Sequence, residues 1–338
     1  MGLQIDIAAI QANWKALAGR APTARAAAVV KADGYGLGAA RIVPALYEAG
    51  ARDFFVALAG EGRAIRPLLP DDATVNILSG HMEGADLAGL VPVINSPGQF
   101  FRDRAMRPGQ PFAIQLDSGM NRLGMEAAEW AAIRDEALSA GPAFVMSHLA
   151  CADEPGHPAN AMQCRTFREM TQGAGVPLSL AATGGILLGP DYHFDMVRPG
   201  VGLYGGLPFA DAKPVLRLSL PVIQTRDLRP GEFVGYGATW TAEAPRRIAT
   251  VAAGYADGIL RMLSSSGVSL YADGAACPIV GRVSMDLVTA DVTDLDEVPP
   301  ELELICPEQP IDALADHAGT IGYEILTSLG HRYQRDYL

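Results

Sequence analysis

Positive charge in excess is the first thing this chain lacks. Its 26 Lys and Arg stand against 38 Asp and Glu, a formal net charge of -12 at pH 7. Binding to nucleic acid needs a basic face to neutralise phosphates, so that class of function is excluded. Long apolar runs are missing too, and no stretch approaches the roughly 20 residues of a bilayer-crossing helix. The opening MGLQIDIAAIQANWKALAGR has no basic lead and no apolar signal core, and Asp6 stands where a myristoylation signal wants Ser or Thr. It reads instead as a helix capped by Asp6, with Ile7, Ile10, Trp14 and Leu17 on one stripe. A cytosolic protein is expected. Cysteine is scarce: Cys151, Cys164, Cys277 and Cys306 form no CxxC pair and read as reduced thiols. His148, Cys151, His157 and Cys164 are near one another in the chain, but their spacing fits none of the common zinc patterns, and no metal is expected.

What the chain has is core and alternation. With 338 residues and 49% hydrophobic content, it is long enough for two domains. Up to about residue 205, eight short β-rich runs (AAAVV at 26, FFVAL at 54, TVNIL at 74, VPVIN at 91, FAIQL at 112, AFVMS at 143, PLSLA at 177, FDMVR at 194) alternate with segments of helical spacing. The first such segment puts Ala39, Ile42, Val43 and Leu46 on one face and stops at Gly50. Eight βα units at this length imply an α/β fold, a closed (β/α)8 TIM-type barrel over residues 1–214. From about Val215 the texture turns to alternating strands such as VLRLSL, RRIATVA and LVTADVT, with no long helical pattern until about Ile311. Residues 215–338 are therefore expected to form a second, mostly β domain.

Barrels gather function where their strands end. The residues closing the runs are Lys31, Asp117, His148, Thr183 and Arg198, all polar. Each has a plain structural account: a solvated edge for Lys31, a satisfied core histidine for His148, an ion-pair partner for Arg198. Together on one face they point to a site. The glycine-rich stretches AATGGILLG and RPGVGLYGG follow the seventh and eighth runs, where barrels build phosphate sites from backbone N–H groups. A lysine able to form a Schiff base across the mouth from a phosphate cradle suggests pyridoxal phosphate. A sugar-phosphate enzyme could carry the same glycines.

The segments AVVKADGYGLGA, LDSGMNRLGM, FDMVRPGVGLYGG, GYADG, VGRVSMD and IGYEILTSLGHRYQRDY, in this order and over essentially the whole chain, resemble the successive signatures of the alanine racemases. The resemblance implies a pyridoxal 5'-phosphate barrel, a β domain, and a head-to-tail homodimer whose active sites borrow residues from the partner's β domain. By the same resemblance Lys31 holds the cofactor, and Tyr35, Thr183, Gly200, Val201 and Tyr323 bind its phosphate. Arg198 faces the pyridine nitrogen, and His148 lies between that arginine and the catalytic Tyr255. Arg122 and Met285 meet the substrate carboxylate, Met285 and Tyr255 coming from the other subunit. Racemisation removes a proton from one face of the alpha carbon and returns one to the other, so it asks for two bases, here Lys31 and Tyr255. Free lysine titrates near about 10.4, so Lys31 must be tuned downward to act near neutrality. A guanidinium at the ring nitrogen does not readily give up its proton, which leaves that nitrogen neutral and disfavours transamination.

Three segments depart from the usual pattern, at four positions. Leu37 replaces a histidine, AATGG replaces ANSGG so that Ala182 and Thr183 stand for asparagine and serine, and Gln115 replaces a lysine that many members carbamylate. Gln115 is expected to present a carbonyl oxygen to Arg122. A fold-related amino-acid decarboxylase would carry a Cys-Asp pair where Ser284-Met285-Asp286 stands, and a non-catalytic pyridoxal phosphate carrier would lack Tyr255 and the second domain. A broader racemase acting on serine or basic amino acids remains open at the level of sequence.

Overall fold

The first strand run explains how the barrel closes. In this computed structural model, which describes residues 1–338, the run splits in two: Arg25–Ala26 pairs parallel with Met196–Val197, whereas Ala28–Val29 pairs parallel with Asp53–Val56. The carbonyl of Ala27, at the switch, accepts the Trp14 indole N–H at 3.0 Å. Such a shift in register is the stagger a closed barrel requires. Parallel pairing continues through Thr74–Ile77, Val91–Ile94, Ala113–Gln115, Val145–Met146 and Leu178–Ser179. The last gap is bridged by the Asp195 N–H on the Leu178 carbonyl at 3.0 Å and the Arg198 N–H on the Ala181 carbonyl at 2.8 Å. All eight expected strands are present. DFFV and VPVI are buried at every position, which is why these strands read as continuous apolar runs rather than alternating ones.

The helix Ala39–Ala49 buries Ile42, Val43 and Leu46 completely, each contributing roughly 1.5–3 kcal/mol relative to exposure. It stops at Gly50, whose φ of +124° is strained for any residue with a Cβ and where a Cβ would lie 3.2 Å from the Trp14 ring. Asp6 caps the first helix, Ile7–Arg20, by accepting the Ala9 N–H at 2.8 Å, and Ile10, Trp14 and Leu17 are buried along it. One expected helix is absent. Residues 78–90 form irregular turns, because Gly80, Gly84 and Gly89 all adopt positive φ and break the helical spacing.

Two compact units divide the chain, one of Ile10–Lys213 and the other of Met1–Ala9 with Pro214–Leu338. The second is built on the long strand Leu216–Leu228, which pairs antiparallel with Gly2–Ile5, Arg246–Ala252 and Glu301–Ile305. Gly2–Ile5 also pairs parallel with Gln334–Tyr337. The reading from sequence starts the barrel at residue 1, but this first strand belongs to the β unit. Leu3 and Ile5 are buried while Gln4 is exposed, a one-sided strand whose partners lie more than 200 positions away, beyond the reach of any local pattern. Leu287–Asp291 extends the sheet beside Arg246–Ala252, and the first helix of this unit's C-terminal part begins at Ile311. No helix in the molecule is long and apolar enough to cross a membrane.

Candidate active site

Directly after Lys31 the backbone turns left-handed. Ala32, Asp33, Gly34 and Tyr35 have φ of +53°, +56°, +64° and +56°, and Gly36 and Gly38 are also positive. Each non-glycine residue held there costs about 1–2 kcal/mol. The turn is closed by the Gly34 N–H on the Val30 carbonyl at 2.9 Å, the Gly36 N–H on Ala32 at 2.7 Å and the Gly38 N–H on Asp33 at 2.8 Å. The Asp33 carboxylate accepts the Ala39 N–H at 2.8 Å and ties the turn to the next helix. The three glycines that follow the lysine take positive φ without that cost. A residue that the sequence reading missed completes the turn: Glu61, whose Oε1 accepts the Ala32 N–H at 2.6 Å. Its signal was its place three residues after Leu58, the start of the helix Ala59–Ile65. With Leu58 rather than Ser or Thr at that start, the usual capping signature was incomplete.

Electrostatics at the strand ends run as expected for Lys31. Burial and the Arg122 guanidinium lower its proton affinity, and Glu61 opposes them. His148 is pushed down to about 3 by burial, then by Arg198, Arg122 and Lys31, so its imidazole is neutral near pH 7. Burial lowers Arg198 to about 9, which leaves it cationic at pH 7. Arg198 is fixed from below: its guanidinium donates to the Ser179 hydroxyl, to the Ser147 carbonyl at 2.7 Å and to the Leu180 carbonyl at 3.2 Å. None of these partners is His148. The two residues are coupled through charge, not through a hydrogen bond.

Across the mouth, Thr183 opens the short helix Thr183–Leu187, preceded by Ala182 with no side-chain cap. The Thr183 hydroxyl accepts the Gly200 N–H at 2.9 Å and the Gly202 N–H at 3.4 Å. With both contacts made as acceptor, its own O–H is left to donate to an anion. A Cβ on Gly200 would lie 2.6 Å from the Tyr35 hydroxyl, so only glycine lets the turn at Val201 approach that phenol. Tyr35 in turn stacks on Tyr204 with ring centroids 4.5 Å apart. An amine at one strand end, a turn of donors at another and a buried guanidinium between them fit a phosphorylated aldehyde such as pyridoxal phosphate. No group of three or more His, Cys, Asp or Glu side chains is placed to hold a metal ion. His157 instead caps its own helix through the Ala159 N–H, and Cys164 donates to the Asp191 carbonyl.

Arg122 is carried on a tight loop. The Asp117 carboxylate accepts the N–H groups of Gly119, Met120 and Asn121 at 2.8, 2.9 and 3.1 Å, and backbone bonds join Gln115 and Asp117 to Met125. Buried Gln115 donates its amide to the Leu123 carbonyl at 3.0 Å. The expectation that Gln115 meets Arg122 directly is therefore corrected: it anchors the residue after the arginine. Its amide N–H finds a carbonyl at hand in the loop, whereas Arg122 is exposed.

In the β unit, Tyr255 and Met285 are presented side by side. The Tyr255 N–H bonds the Ser284 carbonyl at 3.0 Å and the Ala256 N–H bonds the Met285 carbonyl at 3.0 Å. Gly254 has no room for a Cβ against the backbone of Ser284 and Met285. Both side chains are exposed. Beneath them, buried Asp257 accepts Arg332 Nε and a terminal nitrogen at 2.6 and 2.9 Å, along with the Gly254 N–H at 3.0 Å. The other terminal nitrogen of Arg332 reaches Asp286 at 2.8 Å. Arg332 was not singled out from sequence, because its partners lie 75 and 46 positions away. Tyr323 lies in the same unit, on the helix Gly322–Ser328.

Comparison with known proteins places this arrangement among relatives. Residues 5–208 match the family described as alanine racemase, N-terminal domain, and residues 215–337 match alanine racemase, C-terminal domain. The chain is 59% identical to the alanine racemase of Dinoroseobacter shibae, covering 99% of this chain and 97% of that one. It is 57% identical to the alanine racemase of Ruegeria sp., covering 99% and 98%. Among solved structures it is similar to the alanine racemase of Bartonella henselae with covalently bound pyridoxal phosphate, at a TM-score of 0.94, 37% identity and coverage of 100% and 99%.

Proposed function

The chain belongs to the alanine racemase family, and on that premise we propose that it interconverts L-alanine and D-alanine with Lys31 and Tyr255 as opposed bases. It is an enzyme, and its cofactor is pyridoxal phosphate. When bound, that cofactor supplies an aldehyde to a lysine and a conjugated ring that draws electron density from the substrate's alpha carbon. Lys31 would hold it through Nζ, and that amine, released when the substrate amine takes its place on the aldehyde, would take or return the alpha proton on one face. The Tyr255 hydroxyl does the same on the other. Tyr35, Thr183, Gly200, Val201 and Tyr323 would bind the phosphate, and Arg198 would face the ring nitrogen and give it no proton. His148, neutral at working pH, occupies the space between cations without adding a charge. Arg122 and Met285 hold the substrate carboxylate.

We infer a homodimer in which each site takes Tyr255 and Met285 from the other copy. The D-alanine formed in the cytoplasm would serve peptidoglycan assembly or, in the reverse sense, alanine catabolism. One observation carries the reading: a lysine at a strand end of the barrel with lowered proton affinity, on the same face as the donor turn around Thr183 and Gly200.

Only three lysines are present, Lys15, Lys31 and Lys213, so the reading has a direct test. Borohydride reduction of the coloured protein followed by peptide mapping should label Lys31. Chiral chromatography should then show either enantiomer of alanine converging on an equal mixture. A label on Lys15 or Lys213 would overturn it.

A further inference from the structure

Glu61 joins two connections of the barrel at the point where Lys31 is presented. One carboxylate oxygen accepts the Ala32 N–H at 2.6 Å. The other accepts the N–H groups of Ala57 and Leu58 at 2.7 and 3.0 Å. The second set caps the helix Ala59–Ile65 and follows from ordinary capping chemistry. The first does not. A helix cap needs no contact with a residue 29 positions earlier, and that residue is the first of the left-handed turn, immediately after the lysine.

A left-handed turn, like any single helical turn, leaves its leading N–H groups without partners inside it. Ala32 and Asp33 carry a Cβ at φ of +53° and +56°, so the conformation persists only where its surroundings hold it. Glu61 supplies that hold, from a carboxylate itself fixed by two further N–H donors. The same carboxylate opposes burial and Arg122 in setting the charge of Lys31.

We propose that Glu61 is a positioning residue for the cofactor lysine: its carboxylate locks the left-handed turn that presents Lys31 and places a negative charge near Nζ. The proposal rests on the reading of Lys31 as the lysine that holds pyridoxal phosphate. Glu61→Gln removes the charge and turns an amide N–H toward the N–H groups of Ala57 and Leu58, so it should loosen the turn and lower the proton affinity of Lys31. Glu61→Asp keeps the charge but is one methylene shorter, so it should loosen the turn alone.

The test uses full-length wild-type, Glu61→Gln and Glu61→Asp proteins. Wild-type protein is first reduced with borohydride and mapped. Hydroxylamine is then used to strip each protein of pyridoxal phosphate, and the rate of loss is read from the bound visible absorbance. Recapture of added pyridoxal phosphate by the stripped chain is followed against pH, with amine labelling of Lys15 and Lys213 as internal references. Both variants should lose the cofactor about tenfold faster, the order expected for a hydrogen bond to a charged group. Recapture by Glu61→Gln should reach its half-maximum at lower pH than in wild type, and Glu61→Asp should keep the wild-type midpoint. Should Glu61→Gln fail to fold, the split in Glu61→Asp between faster loss and an unmoved midpoint decides the matter. A label on Lys31 with an unshifted Glu61→Gln midpoint would overturn the proposal and leave the catalytic reading standing. Losses that merely follow each variant's fall in thermal midpoint would also overturn it. A label on Lys15 or Lys213 would overturn both.

Discussion

Gln115 holds the loop that carries Arg122 and His148 lies under the charges of Arg198, Arg122 and Lys31, and neither adds a charge of its own near pH 7. Gln115 holds the loop through the Leu123 carbonyl and is neutral, so under the proposed function Arg122 would keep its full charge for the substrate carboxylate. Gln115→Leu removes that anchor at a net cost of about 1 kcal/mol. KM for alanine should rise roughly fivefold with kcat little changed, since uniform binding is what such an anchor serves. Steady-state kinetics in both directions check this. Degassing and bicarbonate addition should leave wild-type activity unaltered, because Gln115 cannot be carbamylated. Burial and the neighbouring cations push His148 down to about 3 from the usual 6.5, so the folded protein binds fewer protons than the unfolded chain between those values. Its contribution to stability is therefore intact above about 6.5 and falls as pH drops toward 3. Thermal midpoints recorded down that range should fall less steeply in His148→Asn than in wild type. By proton NMR, the His148 ring signals should not move between pH 8 and 5.

At the level of elements, function rests on short irregular segments held by a few polar anchors. The strand carrying Lys31 gives way to a left-handed turn, and the β unit presents Tyr255 through three chain segments clamped by Asp257, Arg332 and the Gly330 N–H on the Asp257 carbonyl. The Arg332 guanidinium bridges Asp257 and Asp286. Arg332→Leu should therefore let the Tyr255 and Met285 segments move apart. In deuterated water, alpha-proton exchange should fall more for L-alanine than for D-alanine, with a larger change in kcat than in KM. Equal losses for both enantiomers would assign Arg332 to folding alone.

For the molecule as a whole, the proposed dimer makes a prediction about mixtures. Lys31→Ala and Tyr255→Phe chains are each expected to be inactive. If each site draws its lysine and tyrosine from different copies, exchange of subunits regenerates one intact site in every mixed dimer. Random exchange makes half the dimers mixed, so about one quarter of wild-type activity should return. Native mass spectrometry verifies the exchange, and a mixture that exchanges without recovering activity would show that one chain builds a whole site.

Much was legible without coordinates. The eight runs were visible because strands buried on both faces must be apolar throughout, and Lys31, His148, Thr183 and Arg198 were visible because polar residues that end such runs are conspicuous. The helix from Ala39 to Gly50 followed from its periodicity, and its stop from a glycine. Tertiary structure alone decided where Gly2–Ile5 belongs, since its partners at Leu216–Ser219 and Gln334–Tyr337 are set by long-range pairing. It alone turned the Gln115 amide to Leu123 rather than Arg122, and sent the Arg198 guanidinium to Ser179, Ser147 and Leu180. It alone revealed Glu61 and Arg332. Local sequence records propensity and periodicity, which act over a few residues. A hydrogen bond between positions 29 or 75 apart depends on how the chain is folded between them, and no local pattern carries that information.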